Sequence, residues 1–121
     1  MEIGVIFRWG RVVPGKEEES VQLFNEVMQY FTEAKTRGDV TFWEPFLCST
    51  GDFQLENGFL LAKGPEERIR KFLDDDLTVG LLLKSNIVLE HFKVEFLATA
   101  ERIPKLMEIF IASAKKSLAV V

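Results

Sequence analysis

Pro14-Gly15-Lys16-Glu17-Glu18-Glu19-Ser20-Val21-Gln22-Leu23-Phe24-Asn25-Glu26-Val27-Met28-Gln29-Tyr30-Phe31-Thr32-Glu33-Ala34-Lys35-Thr36-Arg37-Gly38 is the stretch on which the fold turns. Pro14-Gly15 is a turn signal. The three glutamates after it stand where a helix N-terminus favours negative charge. Val21, Phe24, Met28 and Phe31 recur at helical spacing, and Leu23, Val27, Tyr30 and Ala34 widen that stripe. Lys35 and Arg37 suit the C-terminal end of the dipole, and Gly38 can take a left-handed conformation just beyond it. A helix of about 20 residues is roughly 30 Å long, enough to cover a sheet face.

Strand-like segments flank this helix. Ile3 to Trp9 is short and rich in β-branched and aromatic residues. Its alternation puts Val5, Phe7 and Trp9 on one face and Gly4, Ile6 and Arg8 on the other. Val40 to Ser49 reads as the second strand, and Pro45 within it, lacking an N–H, points to a sheet edge or a bulge. Thr50-Gly51-Asp52 supplies a turn, and Glu56 to Lys63 reads as the third strand. Gly64-Pro65-Glu66-Glu67 opens a second helix with the stripe Ile69, Phe72 and Leu73. Asp74-Asp75-Asp76 interrupts it, and Asp76 is the expected cap of a short helical piece through Leu83. Ile87 to Phe96 reads as the fourth strand. Thr99 to Leu118 reads as a last helix, apolar over a broad arc, in which Pro104 restricts the helical start to about Ile103 or leaves a kink near it.

The order β-α-β-β-α-β, then a helix, is that of the split βαβ motif. It predicts an α+β fold with a four-stranded antiparallel sheet and both main helices on one face. The opposite face is apolar in part and calls for a partner. In this order the chain resembles the dimeric α+β barrel superfamily of ferredoxin-like proteins. The resemblance rests on the element order, on Pro14-Gly15-Lys16-Glu17-Glu18-Glu19 running into Phe24, and on Phe59-Leu60-Leu61 before Gly64-Pro65-Glu66-Glu67. It implies a ferredoxin-like domain over residues 1–98; the C-terminal helix over 99–121 is an addition to it, and its broad apolar arc makes it an expected contact both with its own subunit and with a second copy. It also implies two open sheets meeting in a barrel, with a cavity between sheet and helices. Such families include cofactor-free monooxygenases, muconolactone-type isomerases, haem-degrading proteins and chlorite dismutase-like haem proteins. No diagnostic motif of these subfamilies stands here, so no catalytic role is carried over.

Composition narrows the function classes. A chain of 121 residues is most simply one domain able to bury a core. Eleven phenylalanines favour a large core, an interface, or both. The formal net charge is −4, with no dense Lys/Arg stripe, which argues against nucleic acid and against an anionic membrane as partner. The single cysteine, Cys48, excludes an intramolecular disulfide and fits a reducing cytoplasm. Met1 leads straight into a strand-like run, so no signal peptide is read. No apolar run approaches the roughly 20 residues that span a bilayer.

Polar residues inside apolar strands are the candidate chemistry. His91, the only histidine, reads mid-strand as a general base or an axial haem ligand. The alternative is an exposed or interface histidine, which is favoured because no second residue is tied to it by spacing. Arg8 and Glu44 could pair across neighbouring strands and orient an anionic or carbonyl substrate, or form a structural ion pair. Trp9, Phe42, Trp43 and Phe59 could line a pocket for a planar ligand, or serve as core. Three consecutive aspartates do not point one way, so capping or solvation accounts for them better than a metal, and no metal site or cofactor is read. The expectation is a homodimer binding a small apolar or aromatic molecule. The alternative is a cofactor-free monooxygenase or isomerase-like enzyme, with haem binding ranked behind both.

Overall fold

The computed structural model describes residues 1–120, with side chains as far as Ser117. Val121, the last residue of the expected 99–121 extension, lies outside the described residues. The elements run β1 (Glu2–Trp9), α1 (Glu17–Arg37), β2 (Phe42–Leu47), β3 (Gly58–Pro65), α2 (Glu66–Asp74), α3 (Asp76–Val88), β4 (Lys93–Ala98) and α4 (Ile103–Val120). The four strands form one antiparallel sheet in the order β2-β3-β1-β4. The β2 strand is therefore at an edge, where Pro45 costs no ladder bond on its free side.

Helix α1 ends as its sequence dictates. Gly38 adopts a φ of 83°. Its N–H donates to the Lys35 carbonyl and that of Asp39 to the Ala34 carbonyl, the paired bonds of a Schellman motif. The inward stripe is Leu23, Tyr30, Phe31 and Ala34, whereas Val21 and Phe24 are exposed. On the sheet, Ile3, Val5 and Phe7 of β1 join Leu60 and Ala62 of β3 beneath α1 and α2, with Ile69 and Phe72 above them. Rings interlock there: Phe31 lies 5.7 Å from Phe7 and 5.5 Å from Phe72, both edge-on.

The second half of the chain departs from the sequence reading. Helix α3 continues to Val88, five residues past the expected end at Leu83, and β4 begins only at Lys93 instead of Ile87. The β-branched pair Ile87-Val88 suggests a strand, but tertiary context overrides that preference. Thr78, Leu81, Ser85 and Val88 fall on one helical face, and Thr78, Ser85 and Val88 are buried. The helix starts after Asp75, not Asp76, and without a side-chain cap. Strand β2 is trimmed at both ends relative to the expected 40–49, and β3 is displaced two residues toward the C-terminus, ending at Pro65.

Beyond β4 the chain enters α4 at Ile103, directly before Pro104, the start that this proline imposes on a helix read from Thr99. Arg102 pairs with Glu66 of α2 at 3.5 Å. From Ile103 to Ser117 every side chain is exposed, so the helix does not shelter its apolar arc on its own subunit, contrary to expectation. The sheet face opposite the helices carries Ile6, Arg8, Phe42, Glu44, Phe46, Phe59 and Leu61, in register across β1, β3 and β2. A folded monomer of this mass exposes about 6,700 Å². This chain exposes 8160 Å².

One glycine joins three segments at the end of β1. Gly10 donates its N–H to the Glu90 carbonyl at 2.7 Å, and the neighbouring Arg11 N–H reaches the Gln54 carbonyl. A Cβ on Gly10 would drive into that Gln54 carbonyl oxygen and press on Glu90. Both obstacles are backbone, so no rotamer change relieves them. Gly10→Ala should therefore cost about 2–3 kcal/mol of unfolding free energy. Urea denaturation measures it, and a loss under about 0.5 kcal/mol would show that the two loops yield freely.

Candidate functional site

Two of the segments joined at Gly10, the chain after β1 and the turn after α3, close one end of a cavity of about 320 Å³ between the sheet and the α1–α3 pair. Its floor is Phe7 and Trp9 of β1 with Leu60 of β3. The α1 wall is built by Leu23, Val27, Met28, Tyr30 and Phe31, and the α3 wall by Thr78, Leu81, Leu82 and Ser85. These walls face each other because α1 and α3 pack together, with Lys84 and Glu26 paired at 3.3 Å on their outer sides. Val12, Leu89 and Phe92 shut the end. Val12 and Leu89 are held by an isolated antiparallel bridge, flanked by Val13 N–H to the Val88 carbonyl and Glu90 N–H to the Arg11 carbonyl. Phe24, Val21 and Leu47 line the cavity yet are exposed, which identifies them as its rim. Gly58 lacks a side chain where the Trp9 indole lies over it; a Cβ there would sit 2.7 Å from the ring.

An ion pair clamps the closed end. The Arg11 guanidinium donates to the Glu90 carboxylate at 2.6 Å. That hydrogen bond, helped by Coulomb attraction, holds the Glu90 carboxyl below its ordinary value against a smaller opposing effect of desolvation. A carboxyl lowered in the folded state stabilises above the usual carboxylate range and loses that contribution as pH falls through its folded value. The pair is exposed, so the clamp is an orienting contact.

Among the described residues the lining carries no Asp, Glu, Lys, Arg or His. Its hydroxyls come from Ser20, Tyr30, Thr78 and Ser85. The Tyr30 hydroxyl lies 2.6 Å from Thr78 Oγ1 and 3.2 Å from Asp75 Oδ2. Burial pushes the Tyr30 phenol above its ordinary value, so it remains protonated at neutral pH. Ser85 donates to the Leu81 carbonyl at 2.7 Å and Ser20 to the Glu17 carbonyl at 2.6 Å. The chamber thus has greasy walls and a small hydroxyl cluster where α3 meets α1. Within the ordinary range of ligand pockets, which starts near 300 Å³, it suits a small ligand.

Of the sequence candidates, Trp9 lines this cavity. Trp43 is on the helix side of the sheet but packs on Phe31, with ring centroids 5.7 Å apart. Phe42 and Phe59 lie on the open face, where Lys63 sits over the Phe42 ring and Phe59 stacks on Phe46 at 4.9 Å. Arg8 and Glu44 share that open face but do not pair, because β3 lies between their strands. Arg8 instead binds Glu56 at 2.7 Å and Glu95 at 3.3 Å. His91 is not mid-strand. It occupies the turn between α3 and β4 with a φ of 55°, exposed and outside the lining, so it offers the cavity neither a base nor an axial ligand. Cys48 is half-buried and free. Among the described residues no group of His, Cys, Asp and Glu is arranged to hold a metal ion, and no helix is long and apolar enough to cross a membrane.

Sequence reasoning missed Tyr30, Thr78 and Ser85 as a group. The available signal was two small polar residues seven apart inside an otherwise apolar helix, which puts them on one face.

No protein-family model matches the chain, and no curated protein matches it. Solved structures do. A candidate antibiotic biosynthesis monooxygenase from Caulobacter crescentus superposes with a TM-score of 0.62 at 14% identity, over 82% of this chain and 90% of that one. A dimeric protein of unknown function and ferredoxin-like fold from Bacteroides fragilis gives 0.59 at 12%, over 81% and 96%. A dabb family protein with a ferredoxin-like fold from Mesorhizobium loti gives 0.51 at 12%, over 82% and 98%. Identities this low speak to architecture alone, and with the β2-β3-β1-β4 sheet they agree on it: the chain has a ferredoxin-like α+β fold.

Proposed function

We propose that this protein is a cytoplasmic homodimer that binds a small apolar or aromatic molecule in the cavity between its sheet and the α1–α3 pair. The observation that carries the reading is the lining itself: aromatic and aliphatic walls, a rim open to solvent, and no ionised side chain. Trp9 supplies a planar face to the ligand. Phe42 and Phe59 belong to the open sheet face and contribute to the contact with a second copy, as does α4. Catalysis by Arg8, Glu44 or His91 has less support, because none of them lines the cavity.

The neutral dye N-phenyl-1-naphthylamine tests this. Titration should give saturable, blue-shifted fluorescence with one site per chain. Val27→Trp fills the chamber from the α1 wall and should weaken binding at least about tenfold, since the ligand loses its apolar burial. Equal binding by that variant would assign the dye to exposed patches such as α4 and end the cavity reading.

A further inference from the structure

The hydroxyl cluster restricts what the cavity can accept. Thr78 and Ser85 stand two turns apart on the inner face of α3, and both are buried. Ser85 has spent its proton on the Leu81 carbonyl. The single proton of Tyr30 has two acceptors in reach, Thr78 and Asp75. A carboxylate can only accept. Asp75 therefore takes the Tyr30 proton, and Thr78 in turn donates to the Tyr30 oxygen. What Thr78 and Ser85 leave toward the cavity is lone pairs. No lysine, arginine or histidine is present to receive an anion.

We infer that the α3 end of the cavity is a hydrogen-bond acceptor site, selecting an uncharged apolar molecule that carries a hydroxyl or N–H donor over one that offers a carbonyl, ether or carboxylate. This rests on the cavity being the ligand site. A bound carbonyl would face two oxygens without a proton between them. A carboxylate would be desolvated with no cation beside it. A ligand donor instead satisfies Thr78 Oγ1 without breaking the Tyr30–Asp75 bond.

The experiment is competition against N-phenyl-1-naphthylamine by four molecules of one shape: 4-propylphenol, 4-propylanisole, propylbenzene and 4-propylbenzoate. The phenol should bind about tenfold or more tighter than the anisole, because an unmatched polar group in a buried site is penalised. The benzoate should bind weakest. Thr78→Val should bring the phenol to within about twofold of propylbenzene measured on the same variant, while Thr78→Ser should keep most of the preference. Anisole binding as well as phenol, or a preference that survives Thr78→Val, overturns the inference while leaving the cavity reading standing. Failure of all four and of the dye removes the cavity reading, and this one with it. Should Thr78→Val not fold, the ligand series on the native chain and on Ser85→Ala decides, since the phenol–anisole ratio needs no variant.

Discussion

Deleting Pro104–Val121 should raise the dimer dissociation constant at least about a hundredfold while leaving the antiparallel sheet and its core intact. In sedimentation velocity at micromolar concentration, the full chain is expected at twice its 13.9 kDa and the truncated chain largely as monomer. Helix α4 holds Ile103, Leu106, Met107, Ile109, Phe110 and Ile111 exposed to between 39% and 66%. Removing six half-exposed apolar side chains from water is worth roughly 1 kcal/mol each. Ordering costs consume part of that, and the rest still exceeds the 2.7 kcal/mol or so of a hundredfold change. The sheet face adds Phe46 and Phe59, so both unpartnered surfaces are available to a two-fold contact, the commonest oligomer geometry. The excess of exposed surface over a compact monomer of this mass is of the order that a dimer of roughly 2,000 Å² would cover. A full-length species of 13.9 kDa alone would refute the dimer. An unchanged sedimentation coefficient for the truncated chain, corrected for mass, would take α4 out of the interface.

What the sequence made legible were the features with local causes. Helix α1 is announced by Pro14-Gly15, by Glu17–Glu19 and by Gly38, each acting within a turn of its own position. The edge position of β2 follows from one missing N–H at Pro45. The strand alternation correctly separated Val5 and Phe7 from Ile6 and Arg8. Illegible were the features that depend on distant partners. Whether Ile87-Val88 is helix or strand is decided by Val88 packing inward beside Ser85, not by its own propensity. Once that segment is misread, His91 lands in a strand instead of a turn, and the α3 wall of the cavity disappears from view. The polar strand residues Arg8 and Glu44 drew attention because they interrupt apolar runs. They do so because the face they occupy is the open one, away from the cavity. Tyr30 looked like one more apolar stripe residue, since its hydroxyl partners come from Thr78 and Asp75, more than 40 positions along the chain.

Phe31→Ala should be the most destabilising single substitution in the core, lowering unfolding free energy by about 3–5 kcal/mol. The Phe31 ring is 5% exposed and touches four other rings. Phe7 and Tyr30 meet it edge-on at 5.7 and 6.3 Å, Phe72 at 5.5 Å, and Trp43 tilted at 5.7 Å. Those contacts tie α1 at once to β1, β2 and α2. Edge-to-face pairs add to the value of burial alone, so the upper half of the range is expected. The hole cannot close easily, because its neighbours are stiff rings fixed by sheet register, and it adjoins the cavity that Phe31 already lines. At this chain length the melting temperature should fall by roughly 10–20 °C, a large share of a typical stability of 5–15 kcal/mol. Phe31→Leu keeps most of the volume and should lose less than half as much. Phe53→Ala, in the exposed β2–β3 loop, should stay within about 1 kcal/mol. All three variants need comparison at one protomer concentration, because dimerisation makes apparent stability depend on it. A loss for Phe31→Ala no larger than that for Phe53→Ala would mean that the aromatic cluster does not hold α1 on the sheet.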